Sequence, residues 1–170
     1  VAEFTRAQVE AQLLRRLAPV DPEALALVGD ALWAGGLFDE AEEIYRDVLI
    51  IDPESGSGRN GVARSLATRY QLQDALGWAQ AAIVVAPESA TFHHTLGHIY
   101  QRMHQFQDAA DAYQRYVDLL PVATNQEKAD WARAEVQFLR SFGDRPAMQL
   151  AEPGLVHTIP FRLIRDKVIV

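Results

Sequence analysis

Two stretches of this chain bring chemistry-bearing residue types into close register. The first is GSGRNG, Gly56 to Gly61, which fits Gly-x-Gly-x-x-Gly, the spacing of loops that hold the pyrophosphate of a dinucleotide. The second is HTLGH, where His94 and His98 stand four apart and share one side of any helix that carries them, a spacing able to bind zinc. Two arginines, Arg64 and Arg102, could make charge-assisted bonds to a carboxylate. There is no cysteine, which removes disulfides, thiolate zinc sites and thiol catalysis.

Each motif is decided by its surroundings. A dinucleotide loop needs a strand before it and a helix opening inside it. Here the preceding segment, Ile44 to Pro53, is helical in pattern and ends on a proline, and no βαβ unit follows. The glycines therefore predict a loosely held start to a helix, since Gly58 and Gly61 each cost about 1 kcal/mol relative to alanine in a helix. HTLGH lacks the glutamate of a zinc-protease helix, and no third ligand is evident. His94 and His98 read instead as groove histidines sensitive to pH. No nucleophile elbow, phosphate loop or catalytic dyad appears, and pairs such as Glu42-Glu43 read as solvated helix surface. The chain is expected to be no enzyme and to need no cofactor or metal.

At 170 residues and 49% apolar, the chain suits one domain, or one domain with an appendage, around a real core. The net charge of -7 comes with both signs interspersed and without a basic block, which argues against a nucleic-acid partner. No apolar run is long enough to span a bilayer, and no signal peptide is present. The chain opens on valine, which fits either a removed leader or a fragment. The compartment, cytoplasmic or periplasmic or secreted, stays open.

The elements that must position these residues follow from an internal period. Pro19, Pro53, Pro87 and Pro121 are spaced by 34 residues each time. Ala41, Ala75 and Ala109 recur at the same step, as do Phe38, Leu72 and Phe106. The small residues Gly29, Ala63 and Gly97 form a further series. Within a period the apolar residues keep helical spacing: Leu96, Ile99, Tyr100 and Met103 on one face, then Ala109, Ala110, Tyr113 and Tyr116 on another. Gly35-Gly36 breaks the first period, and Asp39, Glu40, Asp74 and Asp108 open the second helices, where the dipole favours acids. Each second helix ends at its proline. Every period thus reads as helix, tight turn, helix, stop.

This pattern resembles the tetratricopeptide repeat family, whose period is 34 residues. The resemblance covers residues 22 to 121 closely, with repeats at about 22–55, 56–89 and 90–123. It implies an all-α, right-handed superhelical solenoid of antiparallel helix pairs. The family's aromatic near the start of the first helix is missing, with Leu25, Arg59 and His93 in its place. Flanking helices are expected at 5–18, from Ala7, Ala11, Leu14 and Pro19, and at 125–142, where Trp131, Ala134, Phe138 and Phe142 form a stripe. The helical domain then spans 1–143, and the last helix caps the open end. Tyr100, Tyr113 and Tyr116 fall in the repeat phase of core packing rather than of an aromatic pocket.

In this family the first helices line a concave groove. The resemblance therefore implies a protein or peptide partner held by Asp30 and Trp33 in the first repeat, Asn60, Arg64 and Thr68 in the second, and His94, His98, Gln101 and Arg102 in the third. The clamp by which some members grip a chaperone's C-terminal carboxylate is absent, because Ala26, Asp30, Gly61, Thr91 and Thr95 stand at its places.

Residues 144–170 differ in character. After Pro153-Gly154, the runs Thr158 to Ile164 and Lys167 to Val170 read as a short β-rich tail or hairpin. VHTIPFRLIRDKVIV resembles the opening strands of retropepsin-like aspartic protease domains, yet the chain contains no Asp-Thr-Gly or Asp-Ser-Gly. Three functions stay in view: a peptide-binding module, the recruiting segment of a larger aspartic protease, and a self-associating module that forms a homodimer through this tail.

Overall fold

Asp21 opens the first helix. Its carboxylate accepts a bond from the Glu23 amide at 3.0 Å, and Pro22 fills a position where no amide hydrogen is required. The structure, a computed structural model, describes residues 21–121 and 125–142, the helical positions Val9 and Leu13, and the backbone of 162–164 and 167–169. Seven helices follow in the two long segments. They are α1 (Pro22–Ala34), α2 (Phe38–Ile51), α3 (Gly56–Thr68), α4 (Leu72–Val85), α5 (Ala90–Arg102), α6 (Phe106–Leu119) and α7 (Gln126–Phe142). The expected flanking helix at 5–18 lies outside the described residues except at Val9 and Leu13.

The turns inside the three pairs are built alike. Gly36, Tyr70 and His104 occupy the same place in the period and all adopt positive φ, at 80°, 60° and 60°. The amide of the next residue then reaches back to close the preceding helix: Leu37 to the Leu32 carbonyl, Gln71 to Leu66 and Gln105 to Tyr100, at 2.9–3.0 Å. Glycine adopts this conformation freely, whereas tyrosine and histidine carry a steric penalty.

Alternating contacts build a helical solenoid, each helix packing on the next in sequence. The first helices of successive pairs also touch directly, α1 with α3 and α3 with α5, whereas among the described residues no second helix touches the next. The first helices therefore lie on the inner, shorter arc. The core runs along the seam. Ala41, Ala75 and Ala109 are fully buried, as the period requires of a position where two helices approach most closely.

Large and small residues alternate across that seam. Tyr45 is almost fully buried between α1 and α3, against Gly29 on one side and Gly61 on the other. In the next period the equivalent positions hold Ala79, Ala63 and Thr95, all buried. In the third, Tyr113 returns and Gly97 with it. Where the ring is lost its neighbours grow, which keeps the volume filled.

The glycine run therefore needs a correction. Gly56 to Gly61 does not form a loose start to α3. Ser55 caps it by accepting a bond from the Gly58 amide at 3.1 Å. A Cβ on Gly58 would lie 3.0 Å from Leu49 and Val48, and one on Gly56 would lie 2.8 Å from Phe92. The glycines are there for close packing.

The missing family aromatic is replaced by hydrogen bonds. Arg59 donates to the Pro53 carbonyl at 2.8 Å, and the His93 ring pairs with the Pro87 carbonyl at 2.8 Å. Each ties the start of a first helix to the proline turn before it.

A second correction concerns α7. Its buried stripe is Ala129, Ala132, Val136 and Leu139, and the aromatic stripe predicted for it is exposed at Trp131, Phe138 and Phe142. Periodicity finds two stripes on this helix but cannot tell which meets the preceding pair. The alanines fit the closer approach.

The backbone of β1 (Arg162–Ile164) pairs antiparallel with β2 (Lys167–Ile169), with Leu163 opposite Val168. The rest of the β-rich tail and of the protease-like stretch lies outside the described residues.

Candidate functional site

The first helices present their free faces to the inner arc, and side chains there are linked across the period. Asp30 of α1 and Arg64 of α3 stand 34 residues apart and form an ion pair at 2.7 Å. The Tyr45 hydroxyl donates to the same carboxylate at 2.7 Å. The Arg64 guanidinium also lies 4.1 Å from the centroid of the Trp33 ring, a cation–π stack. Burial, and then the Asp30 charge, push the Tyr45 phenol well above its usual pKa, so it stays a donor.

The third and fourth first helices are linked in a similar way, with the neutral amide of Gln101 in place of an arginine. Gln101 of α5 donates to Glu135 of α7 at 2.6 Å and accepts from the Tyr113 hydroxyl at 3.1 Å. Burial and then Glu135 raise the Tyr113 phenol in turn.

These links change the standing of several predicted residues. Arg64 is already held by Asp30 and Trp33, so it is not a free carboxylate receptor. Trp33 is partly buried, with Phe38 edge-on at 5.7 Å, and is no protruding anchor. Asn60 is not on the groove surface at all: it is 4% exposed, and its Oδ1 has no hydrogen-bond partner. Thr68 turns its hydroxyl back onto the Arg64 carbonyl at 3.0 Å. Gln101 is occupied as above.

His94, His98 and Arg102 remain accessible along α5. Arg102 stacks 4.0 Å from the Tyr70 ring centroid. His94 is edge-on to Tyr116 at 5.0 Å and tilted against Tyr113 and Trp131, each at 5.8 Å. Burial, then His98, Arg64 and Lys128, lower the His94 pKa. At neutral pH it is an uncharged member of an aromatic cluster. Among the described residues no group of three histidines, aspartates or glutamates could hold a metal ion.

Two functional candidates escaped the sequence reading. They are Lys128 and Trp131, both on α7. With Thr91, His94, Tyr116 and Glu127 they line a cavity of about 660 Å³ between α5, α6 and α7. Among the described residues α5 and α7 do not touch as α1 and α3 or α3 and α5 do. Trp131 stands in the series of Gly29, Ala63 and Gly97, where an indole takes the place of a small residue. Tyr116 belongs to the core, as its phase requires, yet its ring is also a wall of this cavity. The signal lay in the period itself: Lys128 follows His94 by 34 residues, and Trp131 breaks a run of small residues.

With this geometry in hand, the comparisons agree on the class of fold. A family model described as tetratricopeptide repeat matches residues 22–55. No curated protein matches the chain. Residues 41 to the end of MamA from Desulfovibrio magneticus RS-1 superpose with a TM-score of 0.56 at 23% identity, covering 81% of this chain and 88% of that one. The Arabidopsis OM64 TPR domain gives 0.60 at 17% identity over 71% of this chain and 94% of that one. The Yersinia enterocolitica type III secretion chaperone SycD, in complex with a peptide of the translocator YopD, gives 0.62 at 11%, over 70% and 92%. The fold is that of a tetratricopeptide-repeat solenoid. Nothing in these comparisons supports the protease-like reading of the C-terminal residues.

Proposed function

We propose that this chain is a non-enzymatic interaction module that binds a peptide or partner protein along its inner face. The observation that carries this reading is the open gap between α5 and α7. It is a cavity of about 660 Å³ walled by Tyr116, His94 and a half-exposed Trp131, with no residue of the described chain filling it. Such a surface offers an anchor site of the kind interfaces use. One of the similar structures, that of SycD, holds a peptide. No described helix is long and apolar enough to cross a membrane.

The test is to pan a random peptide display library on the full chain and map the bound peptides by hydrogen exchange. Protection on α1, α3, α5 and α7 is expected. Protection confined to α2, α4 and α6 would reject the inner face as the binding surface.

A homodimer through the tail is the second reading. It rests on the two-stranded pairing of β1 with β2, which gives each strand one paired edge and leaves the other open to a further strand among the described residues. Light scattering over a concentration series should then show a mass increase that disappears on deletion of residues 155–170. An unchanged mass in the full chain sinks it.

A further inference from the structure

The inner face of α5 and α7 differs electrostatically from the rest of the described surface. Between residues 21 and 142, every arginine and lysine described has a carboxylate partner within 4.0 Å except two, Arg102 and Lys128. Both lie on this face. Arg102 ends α5 over the Tyr70 ring, and Lys128 stands on the rim of the α5–α7 cavity. His94 and His98 lie on α5 before Arg102. Two carboxylates share this face: Glu135, hydrogen-bonded by the neutral Gln101 amide, and Glu127 on the cavity rim. In a chain of net charge -7, two cations without an ion-pair partner on one face stand out from the rest of the described surface.

Unpaired cations on an otherwise acidic protein attract an acidic partner and repel a basic one. The cavity beside them adds a second requirement. Its walls are the rings of Trp131, Tyr116 and His94, which favour a large apolar or aromatic side chain. The spacing adds a third. From His94 to Arg102 is eight residues of helix, a rise of about 12 Å. An extended chain covers that in roughly four residues.

Resting on the interaction reading above, we propose that α5 and α7 bind an extended acidic peptide. One aromatic or large aliphatic side chain enters the cavity beside Trp131. A carboxylate next to that anchor bonds Lys128, and another about four residues along bonds Arg102.

The experiment uses the full chain and a positional-scanning library of fluorescein-labelled decapeptides, read by fluorescence anisotropy. Arg102→Gln, Lys128→Gln and the double variant are measured beside it, and Thr91→Tyr closes the cavity from an exposed position without disturbing the core. Selected peptides should carry at least two acidic residues flanking one aromatic or aliphatic anchor. The double variant should weaken them about tenfold or more, and rising salt should do the same. Thr91→Tyr should abolish the preference at the anchor position. Selection of neutral or basic peptides overturns the proposal, as does binding by the double variant within twofold of the parent. Peptides that bind the inner face in either of those ways leave the interaction reading standing and reject this one. A library without any binder rejects both.

Discussion

The ring of Tyr45 fills the space that any side chain on Gly61 would need. A Cβ on Gly29, facing the same ring from α1, would fall 2.5 Å from its Cε1, and on Gly61 the overlap with the ring is worse. One aromatic residue of α2 thus sets the approach of two first helices, and those helices carry the inner face.

Gly61→Ala should therefore destabilise by about 3 kcal/mol through overpacking, despite the higher helix propensity of alanine. Combined with Tyr45→Ala, it should cost much less than the sum of the two single changes, because the clash has gone. Urea unfolding of the four proteins checks this. An unchanged midpoint for Gly61→Ala would falsify the packing.

Asp30 accepts from both Tyr45 and Arg64. Asp30→Ala should cost about 1 kcal/mol, the lower end for a charged acceptor, since half of this side chain is in water. It should also free the Arg64 guanidinium from the Trp33 face and alter the tryptophan emission. Emission identical to the parent would mean the stack does not depend on Asp30.

His104 adopts a backbone conformation that Gly36 adopts at the same place in the first pair. His104→Gly should raise stability by about 0.5–1 kcal/mol, as relief of strain outweighs the added freedom of the unfolded chain. Gly36→Ala should lower it by about 1 kcal/mol. No atom lies within 4 Å of the added Cβ, so the cost is backbone strain alone. Thermal unfolding of both variants separates these signs.

The pH dependence follows from His94. Burial, then His98 on α5, Arg64 on α3 and Lys128 on α7, hold its folded pKa below the 6.5 of the unfolded chain. As pH falls below about 6.5 the unfolded chain takes up the proton first, so stability declines until the folded pKa is passed. Above 6.5 this histidine contributes no slope. His98, one turn on, shifts in the same direction, through partial desolvation and then Arg102. The double variant His94→Gln/His98→Gln should flatten the stability profile below about pH 6.5. If the slope is the same in the variant, other groups set it.

The sequence by itself determined the period, the helix pairs and the class of fold. Those rest on local physics: the proline stops, the turn at Gly35-Gly36, and apolar residues at helical spacing within each 34-residue unit. Only the tertiary structure decided which polar residues are free. Arg64, Trp33 and Gln101 look available in sequence because their partners lie one period away, and a side chain's occupancy depends on its neighbour in space. The glycines of α3 read as flexible because the side chains that need their absent Cβ atoms, Tyr45, Val48 and Leu49 of α2 and Phe92 of α5, lie on other helices. Lys128 and Trp131 became visible as a site only when α7 was seen to stand off from α5. That gap depends on how two helices pack against a third, which no pattern along a single helix encodes.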